Sequence, residues 1–339
     1  MDSRALRQAL LNPIIYPGRP KTVEFSETHI SLLFFTENHV YKVKKPVDFG
    51  FLDFTSLERR KFYCHQEVEL NRRLSSGIYL GVVEITEDDG GITIDGRGKV
   101  VEYAVKMRRI PEDRLMSRLL EENKVTDQMI ERVAEKLADF YAAAETNQEI
   151  SGYGKPERIR QDTDENFQQT RAYIGLTISP RGFEAIQAST NAFLREKRAV
   201  FGRRIAGGKI RDCHGDLRSE HIYLEEQILI IDCIEFNERF RYTDLAADIG
   251  FLAMDLDYRE KRALSNHLID SYIRRSGDRD IREVLHFYKC YRAYVRGKVE
   301  SFRLNDPNIP PDEKQGAIKR ARRFFRLSRG YARHLGHKG

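Results

Sequence analysis

Nowhere do the 339 residues string together the roughly 20 apolar side chains that a helix needs to cross a bilayer, so no membrane role is expected. The opening residues, MDSRALRQALL, lack the apolar centre of a secretory leader, which makes the cytoplasm the expected location. Cysteine is scarce: Cys64, Cys213, Cys233 and Cys290 show no CxxC spacing, and they read as reduced, buried side chains in place of disulfides or a zinc centre. The GxxxxGK[ST] phosphate loop is absent, because Gly207-Gly208-Lys209 has neither the spacing nor the following hydroxyl. That excludes a P-loop ATPase. Anionic excess is missing too: the net charge is +6, with much of it in KRARRFFRLSRGYARHLGHKG at 319 to 339. Phe324, Phe325 and Tyr331 interrupt this run at helical spacing, which predicts an apolar stripe packed on the protein body; a nucleic-acid contact is the less favoured reading.

What is present is concentrated in residues 212 to 237, DCHGDLRSEHIYLEEQILIIDCIEFN. Asp216 follows a His-Gly pair, and Asp232 ends the apolar run Ile228-Leu229-Ile230-Ile231 sixteen residues on. Phosphoryl transfer to a hydroxyl needs two acids of this kind, one to orient the attacking oxygen and one to hold the Mg²⁺ that bridges nucleotide phosphates.

Upstream, KTVEFSETHISLLFFTENHVYKVKKPV breaks into three β-rich runs, predicting a meander with turns at Ser26 to His29 and Thr36 to Asn38. Val40, Lys42 and Lys44 fall on one face of its third strand. SLERRKFYCHQEVELNRRL then predicts a helix, with Thr55 or Ser56 as its cap. Val82 to Ile94 reads as a hairpin, Val100 to Met107 as a strand, and Pro111 as its stop. Further on, SGYGKPERIRQDTDENFQ is expected to be a polar loop, and YTDLAADIGFLAMDLDY to open a helix at Asp244 or Asp248.

The strings HGDL at 214 to 217, the Ile-Asp at 231 to 232 and VYKVKKPVDFGFLDF resemble the aminoglycoside phosphotransferase and choline kinase-like family, in particular an uncharacterised bacterial branch. The resemblance implies an α+β, two-lobed protein kinase-like fold: an ATP-binding lobe at 1–108, and a catalytic, acceptor-binding lobe at 109–339. It implies an ATP-dependent kinase acting on a hydroxyl of a small molecule, with Mg²⁺ or Mn²⁺ as cofactor. Asp216 would be the catalytic base and His214 its brace. Lys42 would bind nucleotide phosphates, with Lys44 as the fallback, and Glu67 would pair with that lysine. Met107 would sit where the backbone meets adenine, and Asp232 would hold the metal.

Five residues past Asp216, where the family carries a metal-binding asparagine, this chain has His221. An imidazole there would ligate a softer ion such as Mn²⁺, hydrogen-bond a phosphate, or leave a one-metal site; a nucleotide-binding pseudokinase is the alternative function. On the acceptor side the expected residues are Glu235, Arg292 and Arg296, the last two stacked one turn apart. Asp162, Asp164 and Asn166 offer groups for a cationic or polyhydroxyl acceptor, but a solvated loop is the favoured reading.

Overall fold

The computed structural model describes residues 3–307 and 309–335, so residues 336 to 339 of the basic terminus lie outside the described residues. The chain divides into two compact units: the residues up to Arg118 with His221–Glu238, and Leu119–Glu220 with the residues from Arg239 onward. Residues 221–238, placed in the second domain on sequence grounds, thus pack with the first unit.

In the first unit, α1 (Ser3–Leu10) precedes the strands β1 (Glu24–Glu27), β2 (Ser31–Phe35) and β3 (His39–Lys44). Helix α2 (Leu57–Arg72) follows, then β4 (Tyr79–Asp88), β5 (Gly91–Ile94) and β6 (Lys99–Arg108). The strands form one antiparallel sheet in the order β1-β2-β3-β6-β4-β5. The meander is as expected, and its first turn is held by Thr28, whose hydroxyl accepts from the Ser31 amide at 3.0 Å. Ser56 is the α2 cap, accepting from the Arg59 amide at 3.2 Å.

Alternation along β3 sorts its side chains. Tyr41 and Val43 join Leu10, Phe34 and Ile85 in one core cluster, while Val40 joins Cys64 and Val68 of α2 with Val105 and Met107 in another. Lys42 and Lys44 share the Val40 face by the two-residue period of a strand, which aims both at α2. The segment Ile222–Leu224 pairs antiparallel with Ile228–Ile230, a short hairpin leading into Asp232. The Asp48-Phe49-Gly50 string is a surface turn: the Gly50 amide donates to the Asp48 carboxylate at 2.7 Å, and Gly50 has φ +76°.

The second unit is largely helical, built on α3 (Asp127–Ala143), α4 (Pro156–Thr170), α5 (Pro180–Glu196), α6 (Leu245–Tyr258), α7 (Arg262–Ser276), α8 (Ile281–Phe302) and α9 (Pro311–Ala332). Helix α4 corrects the loop expected over 151–168. Pro156 occupies its first turn, and Ile159, Thr163, Asn166, Phe167 and Thr170 make a buried stripe at helical spacing, partly polar and therefore faint in the sequence. Helix α9 buries Phe324, Phe325 and Tyr331 as expected of the basic terminus, in a core shared with Phe167, Phe183, Phe251 and Tyr294. At Gly297 the α8 backbone comes so near α9 that a Cβ would lie 2.8 Å from the Phe325 ring. Among the described residues no helix is long and apolar enough to cross a membrane.

Candidate active site

In the first unit two lysines and three carboxylates form one network. The Lys42 ammonium lies 2.7 Å from Glu67 and 2.7 Å from Asp232. Lys44 lies 2.7 Å from the other Glu67 oxygen and also pairs with Glu235. Glu67, central to both, has no solvent exposure, and Lys44 is 1% exposed. Burial alone would push the Lys42 and Lys44 pKa values down, yet the surrounding carboxylates hold both above the ordinary lysine value. Burial likewise favours the neutral form of Glu67, but the two ammonium groups prevail and keep its pKa low. For Glu235 burial prevails and its pKa is raised. The expected choice between the lysines becomes a division: Lys42 reaches the half-exposed Asp232, whereas Lys44 is enclosed with Glu67, Glu235 and the Phe54 ring, whose centroid is 4.9 Å away.

Asp232 adopts φ +63°, a left-handed conformation that a short polar side chain tolerates better than most. Its neighbours fix that geometry. The Asp232 amide donates to the Tyr79 hydroxyl at 3.1 Å, the Cys233 amide to Asn71 Oδ1 at 2.8 Å and the Ile231 amide to the His221 carbonyl at 2.9 Å. His221 Nε2 is 3.6 Å from one Asp232 oxygen, while the Asp232 side chain keeps 46% of its exposure. Among the described residues no group of three or more His, Cys, Asp or Glu side chains could hold a metal. The accessible carboxylate alone nevertheless fits a hard ion such as Mg²⁺, which keeps several waters and takes its other ligands from phosphate, whereas the imidazole beside it suits a softer ion such as Mn²⁺.

The second unit holds the His214–Asp216 loop by buried acids on α6. Asp248, fully buried, accepts from the His214 amide at 2.7 Å and the Gly215 amide at 3.0 Å, and from the Tyr141 hydroxyl at 3.2 Å. Two helical turns on, Asp255 accepts from the Ser219 amide at 3.0 Å and from its hydroxyl. Gly215 has φ +91°, which glycine adopts without strain. His214 is buried, and its Nδ1 accepts from the Asp216 amide at 3.2 Å. Asp216 is gripped by Arg218 through two hydrogen bonds, of 3.0 and 2.8 Å.

Between the two acids proposed for the start of α6, the roles separate. Asp244 caps the helix through the Ala246 amide and pairs with buried Arg204, while Asp248 braces the loop. Asp255 escaped the sequence reading. Its signal was present: two acids seven residues apart on a helix whose other inner positions are almost all apolar.

The remaining expected residues fall in different settings. Met107 is buried in β6, in register with Val40 and Tyr79. Glu235 is 7% exposed and committed to Lys44. Arg292 is buried, donating to the Ala247 carbonyl at 3.3 Å and lying 3.9 Å from Asp248. Arg296 keeps a looser pairing, 3.8 Å from Glu300. Asp162 pairs with Arg239 at 2.6 Å, and Asn166 accepts from Lys298 at 2.6 Å, so neither is simply solvated.

No family model matches the chain. Over 284 residues, 84% of its length, it is 31% identical to uncharacterised proteins of Mycobacterium tuberculosis and Mycobacterium bovis. The chain spans about half of those relatives, 55% of each. Among solved structures it is similar to a choline/ethanolamine kinase family protein from Mesorhizobium loti, with a TM-score of 0.51, 12% identity and coverage of 97% of this chain and 99% of that one. It is also similar to a candidate aminoglycoside phosphotransferase from Ralstonia eutropha, with a TM-score of 0.54, 15% identity and 98% coverage of both chains. At such identities a likeness speaks of architecture alone, and the architecture of this chain is the α+β kinase-like fold of those two proteins.

Proposed function

We propose that the chain is an ATP-dependent phosphotransferase of the aminoglycoside phosphotransferase and choline kinase-like family, acting on a hydroxyl of a small molecule. The observation that carries this reading is the Lys42 ammonium, 2.7 Å from both Glu67 and Asp232 on a kinase-like fold. Such a lysine is positioned by one acid and exchanges the other for phosphate oxygens when nucleotide arrives. Asp232, with His221 as a neighbouring donor, would hold Mg²⁺, which when bound supplies charge neutralisation across the nucleotide phosphates. Asp216 would orient the acceptor hydroxyl and take its proton, with His214 and Asp248 keeping the loop in place. The backbone near Met107 would meet the adenine ring. Most of the rate enhancement would then come from positioning and charge stabilisation.

His221 beside Asp232 favours one second reading, a pseudokinase that binds nucleotide without turnover. Thermal stabilisation by ATP or GTP with Mg²⁺, Mn²⁺ or chelator, on wild type and Asp232→Ala, tests the assignment. A metal-dependent shift abolished by Asp232→Ala supports the nucleotide site, and transfer to hydroxylated metabolites then separates enzyme from pseudokinase. No shift under any condition overturns both.

A further inference from the structure

Between β3 and α2 the chain makes a tight turn whose tip is apolar. The Phe49 amide donates to the Leu52 carbonyl at 3.0 Å and the Phe54 amide to the Val47 carbonyl at 2.9 Å, which closes the turn. Gly50 reverses the chain at its tip, with φ +76°. Leu52 and Phe54 are buried beneath, yet Phe49 keeps 47% of its exposure and Phe51 43%. Turns are ordinarily polar, so two phenylalanines held side by side at a tip point to a contact.

The rings are ordered with respect to one another. Phe49 and Phe51 lie 6.1 Å apart between centroids and only 26° from parallel. Phe236 stands 6.0 Å from Phe51 at 51°, and 6.5 Å from Phe54. Phe54 in turn holds the Lys44 ammonium 4.9 Å from its centroid. The Asn237 side-chain amide donates to the Phe51 carbonyl at 2.8 Å, which ties the turn to residues 232–237. This is the segment that bears Asp232. Four residues of chain span at most about 14 Å, so the Phe236 backbone lies within that distance of the candidate metal acid.

Area and shape limit what can cover the rings. At about half exposure Phe49 and Phe51 together present roughly 200 Å² of apolar surface, whereas a stable protein interface takes about 800 Å² from each partner. The area suits one small molecule, and aromatic linings are usual in small-molecule sites. A quaternary ammonium is held by rings standing around it as a cage, but Phe49 and Phe51 are near parallel and make a platform. A platform with one tilted ring beside it matches a planar aromatic group, which gains stacking energy beyond the area it buries.

Resting on the phosphotransferase reading, we infer that Phe49, Phe51 and Phe236 form the recognition platform for the acceptor, and that the acceptor is a hydroxy compound carrying a planar aromatic ring. Sugars and polyols without such a ring are then poor acceptors.

The probe is 2-(indol-3-yl)ethanol, whose fluorescence is excited selectively because the chain has no tryptophan. The full chain is titrated into it, with and without Mg²⁺ and a non-hydrolysable ATP analogue, as wild type, Phe51→Leu, Phe51→Ala and the double variant Phe49→Ala/Phe51→Ala. The expected result is saturable binding with blue-shifted emission, weakened about tenfold in the double variant and less in Phe51→Leu. Phe51→Ala reads the same platform should the double variant fail to fold. Absence of saturable binding to wild type overturns the inference, as does unchanged affinity in the folded alanine variants. Displacement of the probe by tetramethylammonium also overturns it, since the rings would then serve a cation. Displacement by the ATP analogue, or lost analogue affinity in the double variant, assigns the rings to the nucleotide base and overturns it likewise. If the analogue does not bind wild type, the phosphotransferase reading falls, and the indole titration alone decides whether the platform binds rings.

Discussion

The two candidate catalytic neighbourhoods are built on opposite principles. In the first unit, side chains hold side chains: Lys42 and Lys44 are threaded among Glu67, Asp232 and Glu235. In the second, buried carboxylates hold backbone: Asp248 and Asp255 accept from the amides of His214, Gly215 and Ser219. Ion pairs among long side chains can re-form around an arriving phosphate, whereas amide-to-carboxylate bonds fix a loop in one shape. The contrast matches a flexible charge-handling role for one and a rigid positioning role for the other.

The largest effect expected from breaking either side is on turnover. Asp216→Asn should lower kcat by roughly a thousandfold with nucleotide affinity kept, since an amide cannot take the acceptor proton. Steady-state kinetics with an identified acceptor check this, and near-wild-type turnover would remove Asp216 from the chemistry. The rigid side is tested by Asp248→Ala, which strips acceptors from two buried amides and from the Tyr141 hydroxyl. A loss on the order of 3 kcal/mol is expected in denaturant unfolding; a change below ~0.5 kcal/mol would show that the loop does not depend on Asp248.

The two lysines sharpen the comparison within the first unit. Lys44→Met would take from buried Glu235 its lysine and leave Glu67 with Lys42 alone, so destabilisation on the order of 3 kcal/mol is expected. Lys42→Met leaves Glu67 still paired with Lys44 and Asp232 open to water, so it should fold nearly as well as wild type while losing Mg²⁺-ATP binding. Melting curves and nucleotide titrations on both variants read the two axes. Equal destabilisation with equal nucleotide binding would erase the division of labour between them.

How much of this could be read from the sequence follows from the same contrast. The lysine face of β3 was legible because strand periodicity is strict, and the α2 cap because Ser56 precedes a helical pattern. The HGDL loop was legible as a motif. Which lysine is enclosed was not, because Glu235 reaches Lys44 across 191 residues of sequence. Helix α4 was missed because its buried face includes Thr163, Asn166 and Thr170, leaving a weak apolar signal amid charged residues. Asp255 was missed because an acid on an apolar helix gains its meaning only from the amide it meets.

Lys298 gives the smallest effect and tests whether the second unit also tolerates a mobile charge. Its ammonium donates to Asn166 at 2.6 Å and Gln169 at 2.7 Å, two amide oxygens, and burial pushes its pKa down to about 8 from 10.5. The folded state therefore releases this proton before the unfolded state does. Between about pH 8 and 10.5 the unfolded chain binds more protons, so this group makes stability rise with pH across that window. Lys298→Met should flatten that rise, which denaturant unfolding at pH 7.5, about 9 and about 10.5 would register as a gap between variant and wild type that changes with pH. A constant gap over the three pH values would mean that Lys298 titrates alike in both states. The burial that separates it from the carboxylate-held lysines of the first unit would then have no energetic consequence.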